Sequence, residues 1–90
     1  MFAYVRITDL ISKTLKKPLM VTVEKDDEGY IARTVDLPLY GFGDTEKEAI
    51  DNLKYEIEST YDELKQWDNL SEEWTKYKKF LSEIIEKEGI

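Results

Sequence analysis

The sequence predicts an α+β fold: an antiparallel three- to four-stranded sheet with a long helix packed on one face, plus an extra C-terminal helix. Three observations lead there. Residues 19–35 alternate apolar and polar side chains around an acidic turn, which is the period of a half-buried strand pair. From Asp44 the apolar residues recur every four positions, the period of an amphipathic helix. A second helical stripe follows Ser71. Ninety residues hide about 60–65% of their unfolded surface, enough for one core and too little for two. A single domain over 1–90 follows, with its core at about 19–66 and a C-terminal helix at about 71–88.

"FAYVRI" (2–7) alternates β-branched and aromatic residues with smaller or charged ones and reads as a strand. "TDLISKTLKK" (8–17) places Leu10, Ile11, Thr14 and Leu15 at helical spacing, with Thr8 or Asp9 as N-cap and Pro18 as terminator, so a short helix is expected. "PLMVTVEKDDEGYIARTVDLP" reads as a hairpin. Leu19, Val21 and Val23 share one face, residues 26–29 supply turn chemistry, and Tyr30, Ala32 and Thr34 alternate with Ile31, Arg33 and Val35 on the return. Pro38 stops that strand. "LYGFG" is a short third strand whose glycines predict a bulge or a close approach of backbone.

In the long helix Ala49, Leu53, Ile57 and Tyr61 form the stripe, broadened by Ile50 and Leu64. Thr45 followed three residues later by Glu48 has the capping-box pattern, with Asp44 as the alternative cap. "QWDNL" interrupts the period. Ser71 then caps a helix with Glu72 and Glu73 in its first turn, apolar positions at Trp74, Tyr77, Phe80, Leu81, Ile84 and Ile85, and Gly89 to close it.

Composition excludes more than it assigns. The chain contains neither cysteine nor histidine. That leaves no disulfide, no zinc site of the usual kind, no thiol nucleophile and no imidazole base. No apolar run reaches the ~20 residues of a membrane span, and the first ten residues lack the pattern of a signal peptide, so a cytoplasmic protein is expected. Residues 1–20 hold Arg6, Lys13, Lys16 and Lys17 against Asp9 alone, a balance of +3, which leaves −10 for the remainder of a chain of net charge −7. An acidic body disfavours nucleic acid and suits basic partners. The basic residues at 6–17 and 76–79 are too few for direct DNA binding to be expected.

The motifs that suggest chemistry lack the spacing that chemistry needs. "GFGDT" leads glycines into a helix start, as phosphate loops do, but it lacks the dinucleotide spacing and the P-loop Lys-Ser/Thr. Asp44, Glu46 and Glu48 would also oppose a phosphate there. "EKDDEG" has consecutive acids where a calcium loop needs alternating ones. Glu24, Asp36 and Asp44 could in principle converge as a metal-dependent nuclease site, yet nothing fixes their spacing. The expectation is a protein with no catalytic residue, no metal and no cofactor.

Residues 19–64 carry an ordered set: Gly29 and Tyr30 after an acidic turn, Asp36-Leu37-Pro38 closing the return strand, then Gly43-Asp44-Thr45 and Glu48-Ala49 opening the helix. This half of the chain resembles the HicB-like antitoxin domain. The resemblance implies a partial RNase H-like fold without nuclease activity. It also implies binding and occlusion of a small basic HicA-type mRNA interferase, and self-association into a homo-oligomer. The chain departs from the family pattern in three places. Leu39-Tyr40 follows Pro38 where the family has Gly; the segment before Pro18 is longer; and a lone helix stands where many members carry a DNA-binding module.

On that reading Tyr30, Arg33, Tyr40, Phe42 and Asp44 are the candidate partner contacts, the aromatics serving as anchors. Tyr40 and Phe42 equally suit a core or a self-association surface. The alternative function is a self-associating structural or regulatory module with no toxin partner.

Overall fold

The computed structural model of the protein describes residues 2–86, the first of these in backbone alone. Four strands, β1 (Phe2–Asp9), β2 (Thr14–Asp26), β3 (Gly29–Thr34) and β4 (Tyr40–Gly43), form one antiparallel sheet in the order β1-β2-β3-β4. Two helices follow, α1 (Glu46–Gln66) and α2 (Glu72–Ile84). The shortest extent of the Cα trace is 16 Å, the thickness of one sheet plus one helical layer. No helix among the described residues is long and apolar enough to cross a membrane.

The alternation read from residues 19–34 decides which sheet face meets α1. Leu19, Val21 and Val23 of β2 and Ala32 and Thr34 of β3 are buried, and they pack with Ala49, Leu53, Ile57, Tyr61 and Leu64 of α1. Thr34 is the one buried polar side chain among the described residues, and its hydroxyl is satisfied locally. It donates to the Leu37 carbonyl (2.6 Å) and accepts the Leu37 N–H (3.0 Å), shaping the β3–β4 connection.

The β2–β3 turn is built by Asp26. Its Oδ1 accepts the N–H groups of Glu28 (2.8 Å) and Gly29 (3.1 Å), so the carboxylate is committed to the turn. Gly29 has φ +152°, and a Cβ there would collide with the Gly43 carbonyl.

Gly41 and Gly43 mark a close approach and no bulge, since the β3–β4 register runs unbroken from Tyr30↔Gly43 to Arg33↔Tyr40. The backbone of α1 lies directly on β4. A Cβ on Gly41 would sit 2.6 Å from the Ala49 carbonyl oxygen, and one on Gly43 would strike the Ala49 amide.

In place of the helix expected over 8–17 stands a tight connection between two strands. Thr8 and Asp9 finish β1, and Thr14–Lys17 begin β2. Leu10 and Leu15 are buried as a helical stripe would have them, but Ile11 is 57% exposed. The physical reason is tertiary. The Leu10 N–H donates to the Lys13 carbonyl (2.7 Å) to close the turn, and α1 grips the turn through one polar stripe four residues apart. Lys54 meets Asp9 (2.7 Å), Glu58 accepts the N–H and hydroxyl of Ser12 (2.8 and 2.7 Å), and Asp62 meets Lys13 (3.6 Å). Pro18 terminates no helix. It lies within β2 between the pairs Asp9↔Thr14 and Ile7↔Leu19, where the register shifts and an N–H is not required.

Both long helices start where the sequence places them. Thr45 Oγ1 accepts the Glu48 N–H (3.1 Å), and Ser71 Oγ accepts the Trp74 N–H (3.2 Å). The second helix stops at Ile84 instead of running to residue 88. Ile85 turns extended (φ −84°, ψ 126°) to bridge Leu15, and the Glu86 N–H donates to the Thr14 carbonyl (2.8 Å). Gly89, the expected terminator, lies outside the described residues. Leu81 and Ile84 bury themselves, whereas Trp74 is 36% exposed and stacks edge-to-face on Tyr77.

Candidate partner-binding surface

The sheet face turned away from the helices carries no covering element among the described residues. Main-chain bonds from the Thr34 N–H to the Leu39 carbonyl and from the Val35 N–H to the Met20 carbonyl, each 3.3 Å, set the alternation. With Val21, Val23 and Ala32 facing α1, the pairs Tyr4↔Thr22, Thr22↔Arg33 and Arg33↔Tyr40 make one row across all four strands on the outer face. Glu24, Ile31 and Phe42 make the next row.

Three of the five candidate contacts come together there. Arg33 is opposite Tyr40, and Tyr40 packs edge-to-face against Phe42 with ring centroids 5.2 Å apart. Tyr40 and Phe42 are 53% and 56% exposed, so neither fills the core. Arg33 is exposed and forms no ion pair among the described residues. Asp44 stands just past β4, exposed, its N–H donating to Glu48 Oε1 (3.4 Å). Tyr30 belongs to the other face: it is half-buried, pairs with Gly43 and packs against the core. It reaches the same neighbourhood only through an open hollow shared with Phe42, Asp44, Asp26, Glu28 and Glu48.

Sequence reading missed two members of this surface. Tyr55, 62% exposed, and Asn52 project from α1 beside β4, and with Pro38, Leu39, Tyr40 and Phe42 they line a second open hollow. The Asn52 amide donates to the Phe42 carbonyl, which faces the open edge of β4. The available signal was that Tyr55 falls off the Ala49-Leu53-Ile57 stripe, so a large aromatic had to lie on the flank of the helix.

The chemistry this surface can supply is recognition. Two exposed rings and a third on the helix offer large, stiff apolar area, which is what interface anchors provide. Acids flank them at Asp44, Glu48 and Glu56. Among the described residues no three acidic side chains converge as a metal site. Glu24 lies on the outer face of β2, Asp36 in the β3–β4 connection and Asp44 beyond β4, each on a different element. At the start of α1 the cap hydroxyl and the Glu48 carboxylate already accept two main-chain N–H groups.

Comparison with protein-family models, with curated proteins and with solved structures finds no match to this chain.

Proposed function

We propose that the protein is a non-catalytic, HicB-like antitoxin that binds a small basic mRNA interferase of the HicA type and occludes its RNA-binding surface. One observation carries this reading. The exposed aromatic group of Tyr40, Phe42 and Tyr55, with Arg33 beside it, lies where β4 packs on α1, with Asp44, Glu48 and Glu56 at its margin. The rings anchor, and the acids select a basic partner and steer its approach. The ordered residues from Gly29 to Ala49 that resemble the HicB-like domain form the strands and helix start that build this surface.

The test is affinity capture of the tagged chain, followed by an RNA-cleavage assay on whatever co-purifies. A stoichiometric basic protein that is released by salt, cleaves RNA alone and is silenced by adding back the chain supports the proposal. Recovery of the chain by itself from cells that express it well overturns it.

A further inference from the structure

Register leaves β4 with an edge of defined chemistry. The Thr34 N–H donates to the Leu39 carbonyl, so the hydrogen-bonded pairs with β3 fall at Leu39, Gly41 and Gly43. The main-chain groups of Tyr40 and Phe42 are therefore directed away from the sheet. The Asn52 amide marks that direction by donating to the outward Phe42 carbonyl, where the N–H of a further strand would stand. The Tyr40 N–H, the Tyr40 carbonyl and the Phe42 N–H meet no partner among the described residues.

The flank of α1 reaches the same edge from below. Gly41 lies on the α1 backbone at Ala49 and Leu53. Beside that contact Asn52, Tyr55 and Glu56 form an exposed ridge at i, i+3 and i+4. With Tyr40 and Phe42 the ridge walls an open hollow. The hollow thus has a strand edge at its back, two rings above it on the outer face, and a helix flank beneath.

We propose that this groove takes an extended, basic segment of another protein as a fifth strand, antiparallel to β4, with an apolar–basic–apolar triplet at its centre. Pairing decides the pattern. Guest residues opposite Phe42 and Tyr40 exchange main-chain bonds with them, the guest N–H replacing the Asn52 amide at the Phe42 carbonyl. Their side chains share the outer face, where the two rings offer apolar contact and Arg33 opposite Tyr40 disfavours a cation. The guest residue between them is opposite Gly41 and points the other way, onto the ridge. There a Lys or Arg lays its stem along Tyr55 and brings its charge to Glu56. Charge and shape also select the occupant. A second copy of this chain, paired antiparallel about Gly41, would bring the two ridges against each other, Glu56 to Glu56, on bodies that each carry −7. The inference deepens the partner reading above by naming the segment recognised, and it requires basic chemistry in the guest, not ribonuclease activity.

The probe is a blocked pentapeptide, Thr-Val-Lys-Val-Thr, titrated into the isotopically labelled chain and followed by NMR. Binding at about 1 mM or tighter is expected, with the amide resonances of Tyr40 and Phe42 moving downfield and exchanging more slowly. N-methylation of both valines removes the guest donors and should weaken binding at least about tenfold. A peptide with Glu in place of Lys should lose as much on wild type. Glu56→Lys should bind that acidic peptide and reject the basic one, an exchange of preference that a merely structural change does not produce. Absence of binding at about 5 mM, equal binding of the N-methylated peptide, or an unchanged preference in folded Glu56→Lys overturns the proposal. Should Glu56→Lys lose its circular dichroism, the N-methylated peptide decides. A wild type that sediments as a dimer whose Tyr40 and Phe42 amides are already protected from exchange would assign the edge to a second copy and equally overturn it. The two readings fail separately. Peptide binding without any captured ribonuclease sinks the antitoxin reading alone, and a captured ribonuclease that leaves the Tyr40 and Phe42 amides unprotected sinks the strand addition alone.

Discussion

The carboxylate of Glu58 accepts both the main-chain N–H of Ser12 (2.8 Å) and its hydroxyl (2.7 Å), tying the middle of α1 to the β1–β2 turn forty-six residues earlier in the chain. Charge-assisted hydrogen bonds of this kind contribute more than neutral ones, and their exposure to solvent reduces the gain. Glu58→Ala should lower stability by about 1 kcal/mol in urea titration, Ser12→Ala by less. The double mutant should fall short of the sum, with a coupling of about 0.5–1 kcal/mol. Full additivity would mean that the clamp contributes nothing.

The turn at 10–13 makes a second prediction that separates it from a helix. Leu10→Ala removes a side chain that is 4% exposed and should cost about 2–4 kcal/mol, whereas Ile11→Ser changes a residue more than half in water and should stay within about 0.5 kcal/mol. Equal losses at the two positions would return the segment to a helix packed by one face.

Gly41→Ala should be among the most damaging single changes in the protein. The added methyl meets the backbone of α1 at Ala49 and Leu53, and a backbone cannot swing aside as a side chain can. A loss of about 3 kcal/mol or more, or failure to fold, is expected from thermal unfolding. An unchanged Tm would show that α1 does not lie on β4.

Helix starts provide a milder test. Thr45→Ala leaves the Glu48 N–H without its acceptor, and Ser71→Ala does the same to Trp74. Each should cost about 1 kcal/mol by chemical denaturation, and Ser replacing Thr45 should restore most of it.

The recognition surface calls for the opposite pattern. Tyr40→Ala with Phe42→Ala removes exposed rings, so stability should change by about 1 kcal/mol or less. Affinity for the captured partner should fall at least tenfold, and charge reversal at Glu56 and Asp44 should flatten its salt dependence. Loss of binding that merely follows loss of folding would argue against a contact role.

The sequence determined those parts of the protein whose causes are local. Period-two alternation at 19–34 and the four-residue repeat from Ala49 to Tyr61 report which side of an element is apolar, and the buried residues fall on those faces. Caps at Thr45 and Ser71 and the Asp26 turn were legible because each depends on side chains within three residues of the backbone they satisfy.

Tertiary structure decided what depends on distant partners. The spacing of Leu10, Ile11, Thr14 and Leu15 fits one helical face, yet the same leucines are buried equally well by a turn once β2 pairs with β1 and the stripe Lys54-Glu58-Asp62 takes hold of it. The end of α2 was set by Leu15, seventy residues away, which Ile85 turns extended to bridge. Of the candidate contacts, Tyr30 was already set opposite Arg33 by the local alternation, whereas only helix packing could bring Tyr55 alongside Tyr40 and Phe42. A helix or strand carries its own period in its residues. Which elements meet across the sheet is a property of the whole chain, because loop closure and packing are settled together.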